Sequence, residues 1–151
     1  MIPDRTPWQW YEVCLLALVI WREARGESLE ARIMVGCSIR NRIDNPKWWG
    51  TDWVSCITKK WQYSSMTASG DPQLALYPQA TDHTFQECLD VASMVHGRVY
   101  NSPFKGGDSY YDSSIAPPKW ATPETFVGTL GRLHFHNLDR DIEKDFAHVS
   151  S

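Results

Sequence analysis

A long N-terminal helix with two defined ends is the strongest structural signal in this sequence. Thr6, Pro7 and Gln9 form a capping box with proline at the first helical position, a pattern that marks the start of a helix. Gly26 fits the position just past the last turn, where a glycine commonly ends a helix. The pattern therefore predicts a helix from about Pro7 to Arg25.

Three shorter helices are predicted downstream from caps, apolar spacing and stop signals. They run from Ser28 as N-cap to about Ile43, from Asp52 to Trp61, and from His83 to His96 with Gly97 as the stop. In the first of these, Leu29, Ile33 and Cys37 mark the buried stripe, and Gly36 permits a close helix contact. The segment from Ser64 to Thr81 is predicted as a loop because it contains a Gly-Asp-Pro turn.

The C-terminal third of the chain changes character toward short strands and turns. One strand is predicted from Asp108 to Tyr111 and a second from Leu130 to His136, and several prolines lie between them. The tail from Asp139 is highly charged and is predicted to fray. No repeat or linker interrupts the 151 residues. We therefore expect one domain over residues 1–151, of the α+β class, mainly α, with a small β element.

Charge and composition argue against a nucleic-acid-binding protein. The formal net charge is −3, whereas nucleic-acid-binding domains are typically basic. The arginines between Arg22 and Arg42 are clustered, and we interpret them as solvated helix faces. Aromatic residues make up 13% of the chain, with eight Trp. Such side chains serve a core, an interface or a sugar-binding cleft, and core packing is expected for most of them.

The cysteines and the apolar run of the first helix indicate a soluble protein. None of Cys14, Cys37, Cys56 and Cys88 belongs to a Cys-x-x-Cys pair, which argues against a zinc or redox motif. The first, second and fourth lie among apolar residues and are predicted as buried free thiols, with disulfides as the alternative. The run from Val13 to Trp21 is too short to span a bilayer and lacks the flanks of a secretory signal. We expect cytoplasmic synthesis without stable membrane insertion.

Glu23 is the residue of the first helix that best fits a chemical role. It continues the apolar stripe of Leu16, Val19 and Ile20, so its carboxyl group should be partly desolvated and its pKa raised. The negative end of the helix dipole acts in the same direction. A carboxylic acid that keeps its proton near neutral pH is what a general acid requires. The alternative is a helix-ending glutamate paired with a nearby arginine.

Two motifs carry a resemblance to a known family. Glu23-Ala24-Arg25-Gly26-Glu27 and Asn41-Arg42-Ile43 end the first two predicted helices. They resemble the Glu-Ala-Arg-Gly-Glu and Asn-Arg-Val motifs of the SleB-type cell-wall hydrolases, which are spore-cortex-lytic and phage-borne enzymes. Shorter segments follow in the family's order, so that the resemblance covers roughly residues 15 to 137: Gln62-Tyr63-Ser64, Gly97, Gly106 to Asp112, Pro118-Lys119-Trp120 and Gly131 to His136.

The sequence departs from the family pattern at positions that bear on substrate contacts. Ser109 stands where the family usually has a histidine, and His136 stands for a tyrosine. Leu133 falls at the family's closing histidine, with His134 beside it. These changes concern the contacts to the substrate and leave the acid in place.

The resemblance implies a lysozyme-like helical fold and lytic transglycosylase activity on peptidoglycan. Carried over by position, Glu23 is the acid/base that cleaves the bond between N-acetylmuramic acid and N-acetylglucosamine and leaves a 1,6-anhydro sugar. One essential carboxyl group suffices and no cofactor is implied; the expected partner is the glycan strand, bound by a monomer. The implied substrate-binding residues are Tyr63, Ser64, Tyr110, Tyr111 and Trp120, and the implied supporting residues are Glu27, Gln62 and His134. We interpret Glu27 as a structural residue that orients an arginine or holds the following helix.

Other functions remain open at this point. A hydrolytic muramidase would use the same acid with a second carboxylate that activates water, for which Glu27, Asp112 and Asp71 are candidates. A non-catalytic glycan-binding domain, or a structural protein of a virion or coat, would need no acid on an apolar stripe. His134 and His136 alternate along a predicted strand, but two histidines alone make a weak metal signal, and no metal is expected.

The biological setting is an expectation from size and from the apparent lack of a signal segment. A short, single-domain wall-cleaving enzyme of this kind is typical of phage endolysins, which are made in the cytoplasm of the infected host and act on its cell wall. A bacterial or virion-attached origin is the alternative.

Overall fold

The computed structural model of the protein describes residues 4–60 and 62–139. Within them, a mostly helical region is followed by a small antiparallel sheet. The helices are α1 (Pro7–Ala24), α2 (Leu29–Asp44), α3 (Trp53–Ile57), α4 (Ser64–Thr67) and α5 (His83–His96), with a 3-10 helix at Pro72–Ala75; the strands are β1 (Ser109–Asp112), β2 (Phe126–Leu130) and β3 (Leu133–His136). The predicted α+β class, mainly α with a small β element, is confirmed.

Helix α1 lies at the centre of the fold and packs against α5, α2 and α3. Leu16, Val19 and Ile20 are fully buried on it, and burial of each such side chain stabilises the fold by roughly 1.5–3 kcal/mol. At Gly36 of α2, an added Cβ would lie 3.3 Å from Ile20 Cδ1 and 3.3 Å from Val95 Cγ2. The absence of a side chain at Gly36 therefore lets α1, α2 and α5 approach closely, as the sequence predicts.

The helix ends follow the predicted caps closely. Thr6 and Gln9 form both hydrogen bonds of the capping box at the start of α1, and Ser28 caps α2. Helix α5 has its predicted bounds. Helix α1 ends one residue earlier than predicted, with Arg25 as its C-cap. Gly26 follows without a left-handed backbone, so a glycine is not required there for conformational reasons.

Two predicted elements differ from the structure. Helix α3 ends at Ile57, because Thr58 closes the turn with its hydroxyl bonded to the Val54 carbonyl and the following lysines are exposed. The remaining position of the predicted helix, Trp61, lies outside the described residues. The predicted loop from Ser64 to Thr81 contains α4 and the 3-10 helix, each a single short turn of four residues.

Two predictions of burial are also wrong. Leu29 is 55% exposed, whereas Cys37 of the same predicted stripe is fully buried and Ile33 packs against the core. The buried face of α2 also includes Ala31, Met34, Val35 and Ser38. That face includes small and polar residues, and a prediction from the spacing of hydrophobic residues does not detect them. Cys14 is exposed, whereas the other three cysteines are buried; all four are free thiols.

The arginines of α2 are anchors rather than a solvated face. Arg40 and Arg42 are only 7% and 6% exposed. Arg40 donates hydrogen bonds to the carbonyls of Val95 and Tyr100, at 3.1 and 2.8 Å. Because a guanidinium has five donors, one arginine can satisfy several carbonyls of irregular chain that would otherwise be buried without partners. The expectation of solvated helix faces was therefore wrong for these residues.

The small sheet has the order β1-β3-β2, with both neighbouring pairs antiparallel. The predicted strand from Leu130 to His136 is confirmed over Leu133–His136, which form β3. Leu130 instead ends β2, and the chain reverses in a hairpin turn at Gly131, which has a φ of +57°. Strand β2 was not predicted from the sequence. Tyr110 pairs with Phe135, and Tyr111 pairs with His134, so these two pairs lie on opposite faces of the sheet.

No helix within residues 4–60 and 62–139 combines the length and the apolar character needed to cross a membrane. The charged tail that the sequence predicts from Asp139 falls, apart from its first residue, outside the described part of the chain.

Candidate active site

Glu23 lies one residue before the end of α1, where the helix meets the sheet. Its carboxyl group opens into a cleft with a volume of about 380 Å³. The lining residues come from α1, from the start of α4 and the residue two positions before it, from β1 with the loop that follows it, and from β3: Arg22, Glu23, Gln62, Ser64, Tyr110, Tyr111, Asp112, Ile115, Pro118 and Leu133. Side chains that are far apart in sequence therefore converge on the end of one helix.

The surroundings of the Glu23 carboxyl group favour its protonated form. Loss of hydration on burial raises the pKa of Glu23, and the nearby Asp71 carboxylate acts in the same direction. The Tyr110 hydroxyl donates a hydrogen bond of 2.7 Å to Glu23 Oε1 and opposes the shift. Ser65 Oγ faces the same carboxyl group outside hydrogen-bonding geometry and adds to this opposition. Burial dominates, so the pKa is raised, as expected from the apolar stripe.

The hydrogen-bond partner of Glu23 is a tyrosine rather than an arginine. Burial and the adjacent Glu23 raise the pKa of Tyr110 well above its usual value, so its hydroxyl remains a donor. A neutral donor orients the carboxyl group without supplying the positive charge that would hold it ionised. This contact makes Tyr110 a positioning residue for Glu23, which is more specific than the sugar contact expected from sequence.

Arg22 holds the segment between α4 and the 3-10 helix beside the cleft. Its guanidinium donates to the carbonyls of Ser65, Leu74 and Leu76, at 3.0, 3.2 and 3.1 Å. The ring of Tyr77 lies 4.8 Å from the guanidinium carbon and covers it. Because Arg22 is adjacent to Glu23 on α1, these bonds fix α4, which carries Ser65, and the 3-10 helix, which Asp71 caps, relative to the carboxyl group. The sequence analysis did not identify this role.

The Asn-Arg motif at the end of α2 holds strand β1. Asn41 Nδ2 donates to the carbonyl of Gly107 at 2.7 Å, and Arg42 Nε donates to the carbonyl of Asp108 at 2.6 Å. Arg42 Nη1 also donates to Gln62 Oε1 at 2.9 Å. These bonds place the chain just before Tyr110, so the motif acts on the cleft indirectly, through the position of its walls.

Three of the five expected substrate-binding residues and the expected supporting residue Gln62 line the cleft beside Glu23. Gln62, Ser64, Tyr110 and Tyr111 line the cleft. Trp120 does not line it; its ring packs edge-on against Tyr111, with centroids 6.1 Å apart. The His134 ring stacks on Tyr111, with ring centroids 5.2 Å apart and an angle of 16° between the ring planes. His134 also lines a neighbouring depression. Trp120 and His134 thus support the Tyr111 ring.

Tyr63 is the clear exception among the expected substrate-binding residues. It is 2% exposed and belongs to the hydrophobic core, with the Arg42 guanidinium 5.2 Å from its ring centre. Burial raises the pKa of Tyr63 to about 12. Neither face of the ring is available to a sugar, so the assignment of Tyr63 to the cleft is corrected. Its neighbours Gln62 and Ser64 are at the surface because the chain turns there from the loop into α4.

Of the two structural roles expected of Glu27, the structure does not show the first, the orientation of an arginine. Among residues 4–60 and 62–139, its carboxylate has no hydrogen-bond or ion-pair partner. It lies against the hairpin turn, since a Cβ added at Gly131 would be 2.5 Å from Glu27 Oε2. Together with Arg25, Asp112 and Arg132 it lines a second depression, of about 350 Å³, which also includes Glu23. Glu27 therefore forms part of a charged extension of the cleft.

Asp112 is the carboxylate that shares both depressions with Glu23. Its Oδ1 accepts a hydrogen bond of 2.8 Å from the backbone N–H of Ser114 and lies 3.3 Å from Arg132 Nη2. The backbone bond and the arginine hold the pKa of Asp112 below its usual value. An acid with a raised pKa and an ionised carboxylate therefore line one cleft. Asp71, the other candidate second carboxylate, caps the 3-10 helix through the N–H of Gln73.

The two histidines of β3 make hydrogen bonds to neighbouring threonines. His136 Nδ1 lies 2.9 Å from the Thr125 hydroxyl, and burial lowers the pKa of His136. His134 Nδ1 lies 3.4 Å from the Thr129 hydroxyl. Within the described ranges, no group of three or more His, Cys, Asp and Glu side chains is arranged to hold a metal ion.

The fold is similar to that of two solved structures. One is the catalytic domain of the germination-specific lytic transglycosylase SleB from Bacillus anthracis, at 18% identity and a TM-score of 0.64, over 89% of this chain and 99% of that one. The other is the catalytic domain of the Bacillus cereus SleB protein, at 19% identity and a TM-score of 0.62, over 89% and 94% of the two chains. No protein-family profile and no curated protein sequence matches the chain. The likeness confirms the fold that the sequence motifs imply.

Proposed function

We propose that this protein cleaves the glycan strands of peptidoglycan, between N-acetylmuramic acid and N-acetylglucosamine, as a lytic transglycosylase. The observation that carries the proposal is the Glu23 carboxyl group, which opens into the cleft and has a raised pKa and a neutral hydrogen-bond donor. The fold shared with two SleB catalytic domains, one named as a lytic transglycosylase, supports the same class of reaction.

Glu23 would act first as the general acid. The protonated carboxyl group donates its proton to the glycosidic oxygen as the bond to C1 of the muramoyl sugar breaks, so the leaving sugar departs as a neutral alcohol. The Tyr110 hydroxyl keeps the carboxyl group in one orientation during this transfer and then stabilises the carboxylate that results, because it donates to the charged form.

Glu23 would then act as the general base. The carboxylate takes the proton of the C6 hydroxyl of the same muramoyl sugar, and the C6 oxygen forms a new bond to C1. The product is a 1,6-anhydro sugar, no water is consumed, and Glu23 returns to its protonated state. One carboxyl group thus serves both steps, and no cofactor is needed.

Gln62, Ser64 and Tyr111 are proposed to bind the strand. They line the cleft and offer an amide, a hydroxyl and an aromatic ring. A pyranose presents hydroxyl groups at its edge and an apolar face, so these groups match the two surfaces of a sugar. Glu27 lines the charged extension and not the cleft that contains Tyr110, and we assign it a supporting role.

The test is mass spectrometry of the soluble products released from purified peptidoglycan. Wild-type protein is expected to release fragments one water lighter than the hydrolysis products, and Glu23→Gln, with an unchanged circular dichroism spectrum, is expected to release none. Equal release by Glu23→Gln would remove Glu23 from the reaction. Absence of any release by the wild-type protein, with or without retained glycan binding, would exclude the enzymatic function.

Hydrolysis by a muramidase is the second candidate because Asp112 is an ionised carboxylate in the same cleft. A carboxylate at that position could activate a water molecule while Glu23 acts as the acid. Fully hydrated reducing-end products in the same mass spectra would select this reaction. Asp112→Asn would then abolish release, whereas the transglycosylase route predicts that this variant still forms anhydro products.

We extend the proposal to lysis of bacterial cells, the role of a phage endolysin. Cutting the strands weakens the wall against turgor, whatever the origin of the protein. Addition of the purified protein to permeabilised cells is expected to lower their turbidity. An unchanged turbidity in the presence of measurable anhydro products would restrict the protein to wall remodelling.

A further inference from the structure

The face of the sheet that points away from Glu23 carries a cluster of rings. In the register of the sheet, Tyr111 pairs with His134 on one side of β3, and Phe126 pairs with His136 on the other. Side chains alternate along a strand, so these four rings lie on the face opposite the Tyr110–Phe135 pair. Only part of this outer face is covered by the loop from 113 to 125. Phe126 remains 44% exposed.

These rings enclose a depression of about 340 Å³ beside the cleft. Its lining residues are Tyr111, Pro117, Ala121, Thr122, Pro123, Phe126, His134 and His136. None of them is an acid, a lysine or an arginine, so the lining carries rings, prolines and a few neutral polar groups. The depression around Glu27, in contrast, is lined by Arg25, Asp112 and Arg132. The cleft thus has one uncharged aromatic end and one charged end.

The aromatic depression is continuous with the catalytic cleft through one side chain. Tyr111 lines both. Its ring is fixed by the stacked His134, with centroids 5.2 Å apart, and by the edge of Trp120, at 6.1 Å. His136, which is held by Thr125, forms the floor under Phe126, with ring centroids 5.5 Å apart. A polymer lying in the cleft can therefore continue past Tyr111 onto a rigid aromatic surface.

We propose that this depression, between Tyr111, Phe126 and His134, binds a further sugar ring of the same glycan strand, away from the bond that is cut. The proposal rests on the proposed function, because its occupant is the strand held at Glu23. A neutral sugar fits an uncharged lining, and the apolar face of a pyranose packs on an aromatic ring while threonine and histidine at the margin accept or donate hydrogen bonds. A charged stem peptide would find no ionic partner here.

Binding of glycan strands of different lengths to inactive protein tests this proposal. Isothermal titration compares Glu23→Gln with Glu23→Gln/Phe126→Leu, a change that keeps apolar bulk and removes the ring. For long strands we expect the second variant to bind about five- to tenfold more weakly, the effect of one aromatic contact. For a disaccharide, which cannot reach both positions, we expect equal affinity. Glu23→Gln/Phe126→Trp should bind long strands as tightly as Glu23→Gln.

Trp8→Ala, also in the Glu23→Gln background, is the matched control. Trp8 is 59% exposed and stands fifteen positions before Glu23 on α1, which is roughly 22 Å along the helix axis. It should not change the affinity for long strands. Thermal unfolding verifies that each variant is folded, and a His134→Asn variant, which removes the stacking partner of Tyr111, provides an independent second perturbation with the same expected direction.

The outcomes separate this inference from the proposed function. If the wild-type protein releases anhydro products but neither Phe126→Leu nor His134→Asn weakens long-strand binding, the inference is overturned and the function stands. Equal weakening by Trp8→Ala would also overturn it. If no strand is cut but binding depends on Phe126 and on strand length, the second sugar position is supported and the catalytic function fails. Absence of both cleavage and binding overturns both.

Discussion

Two glutamates on α1 show how a partner decides what a buried carboxyl group does. Glu12 and Glu23 are eleven residues apart, close to three helical turns, so they lie on the same side of the helix. Glu12 Oε1 lies 3.1 Å from His96 Nε2, and Arg5 Nε donates to His96 Nδ1 at 3.1 Å. Glu23 is bonded to the neutral hydroxyl of Tyr110.

The difference lies in the charge that surrounds each carboxyl group. The Arg5 bond to Nδ1 requires the proton of His96 to be on Nε2, from which it is donated to Glu12, so a cation is linked to Glu12 through the imidazole. Among the described residues no cation is bonded to Glu23, and burial raises the pKa of Glu23. The Arg5–His96–Glu12 bonds connect α5 and the residues before α1 to α1. The Tyr110–Glu23 bond leaves the Glu23 carboxyl group able to keep its proton. Two carboxyl groups on one helix therefore have different partners, which fit a structural role for Glu12 and the chemical role proposed for Glu23.

Glu23→Gln should have the largest effect on activity. Loss of the acid is expected to lower the rate of product release by about 10²–10⁴-fold, since the amide keeps the shape of the carboxyl group but cannot transfer its proton. The melting temperature should not fall. Because the folded-state pKa of Glu23 is raised, the wild type loses stability as pH rises through the range in which this carboxyl group ionises, and the variant has no such loss.

A lower melting temperature for Glu23→Gln at neutral or alkaline pH would contradict this account. Thermal unfolding across a pH series, recorded beside the kinetic measurement, provides that check.

Glu12→Gln should give the converse result. The substitution replaces the carboxyl group that ends the Arg5–His96–Glu12 chain of hydrogen bonds with a neutral amide, which is a weaker acceptor. We expect a loss of about 2 kcal/mol in the free energy of unfolding. Product release should be unaffected, because Glu12 is three turns from the cleft. Urea unfolding and product analysis at the same pH measure the two effects, and a variant that is as inactive as Glu23→Gln while fully folded would end the distinction between the two glutamates.

Tyr110→Phe should have an intermediate effect on activity and should shift its pH dependence. Without the hydroxyl, Glu23 is less well oriented, and we expect kcat to fall by about tenfold. The hydroxyl lowers the pKa of Glu23, so its removal raises that pKa further. The acid must be protonated to act, hence the alkaline limb of the kcat profile should move to higher pH. An alkaline limb that stays in place, or moves to lower pH, would show that Tyr110 does not act through Glu23.

Glu27→Gln should have the smallest effect. Glu27 lines the charged extension of the cleft without a partner among the described residues, so we expect a loss of only a few-fold in kcat/KM, about 1 kcal/mol or less. Glu30→Gln is the matched control, because Glu30 is exposed on the first turn of α2. A folded Glu27→Gln protein that is as inactive as Glu23→Gln would assign Glu27 a catalytic role.

The sequence by itself determined the approximate ends of α1, α2 and α5 and the candidate acid, because these depend on interactions within a few residues. The Thr6 capping box joins residues three apart, and the stripe that leads to Glu23 follows from helical spacing alone. Burial of that stripe, and with it the direction of the Glu23 pKa, could therefore be predicted. The motif at Asn41 and Arg42 was visible as a resemblance, but its hydrogen bonds to the chain before β1 were not.

The tertiary structure decided the partners of the acid and the shape of the cleft. Tyr110 is 87 positions from Glu23, and Arg22 reaches carbonyls 43 to 54 positions away. Local propensity contains no information about contacts at such separation. Gln62 and Ser64 line the cleft while Tyr63 between them is buried, because the turn into α4 rotates adjacent side chains to opposite sides. Packing therefore decides which aromatic residues line the cleft, because aromatic side chains occur both in the core and at the cleft surface.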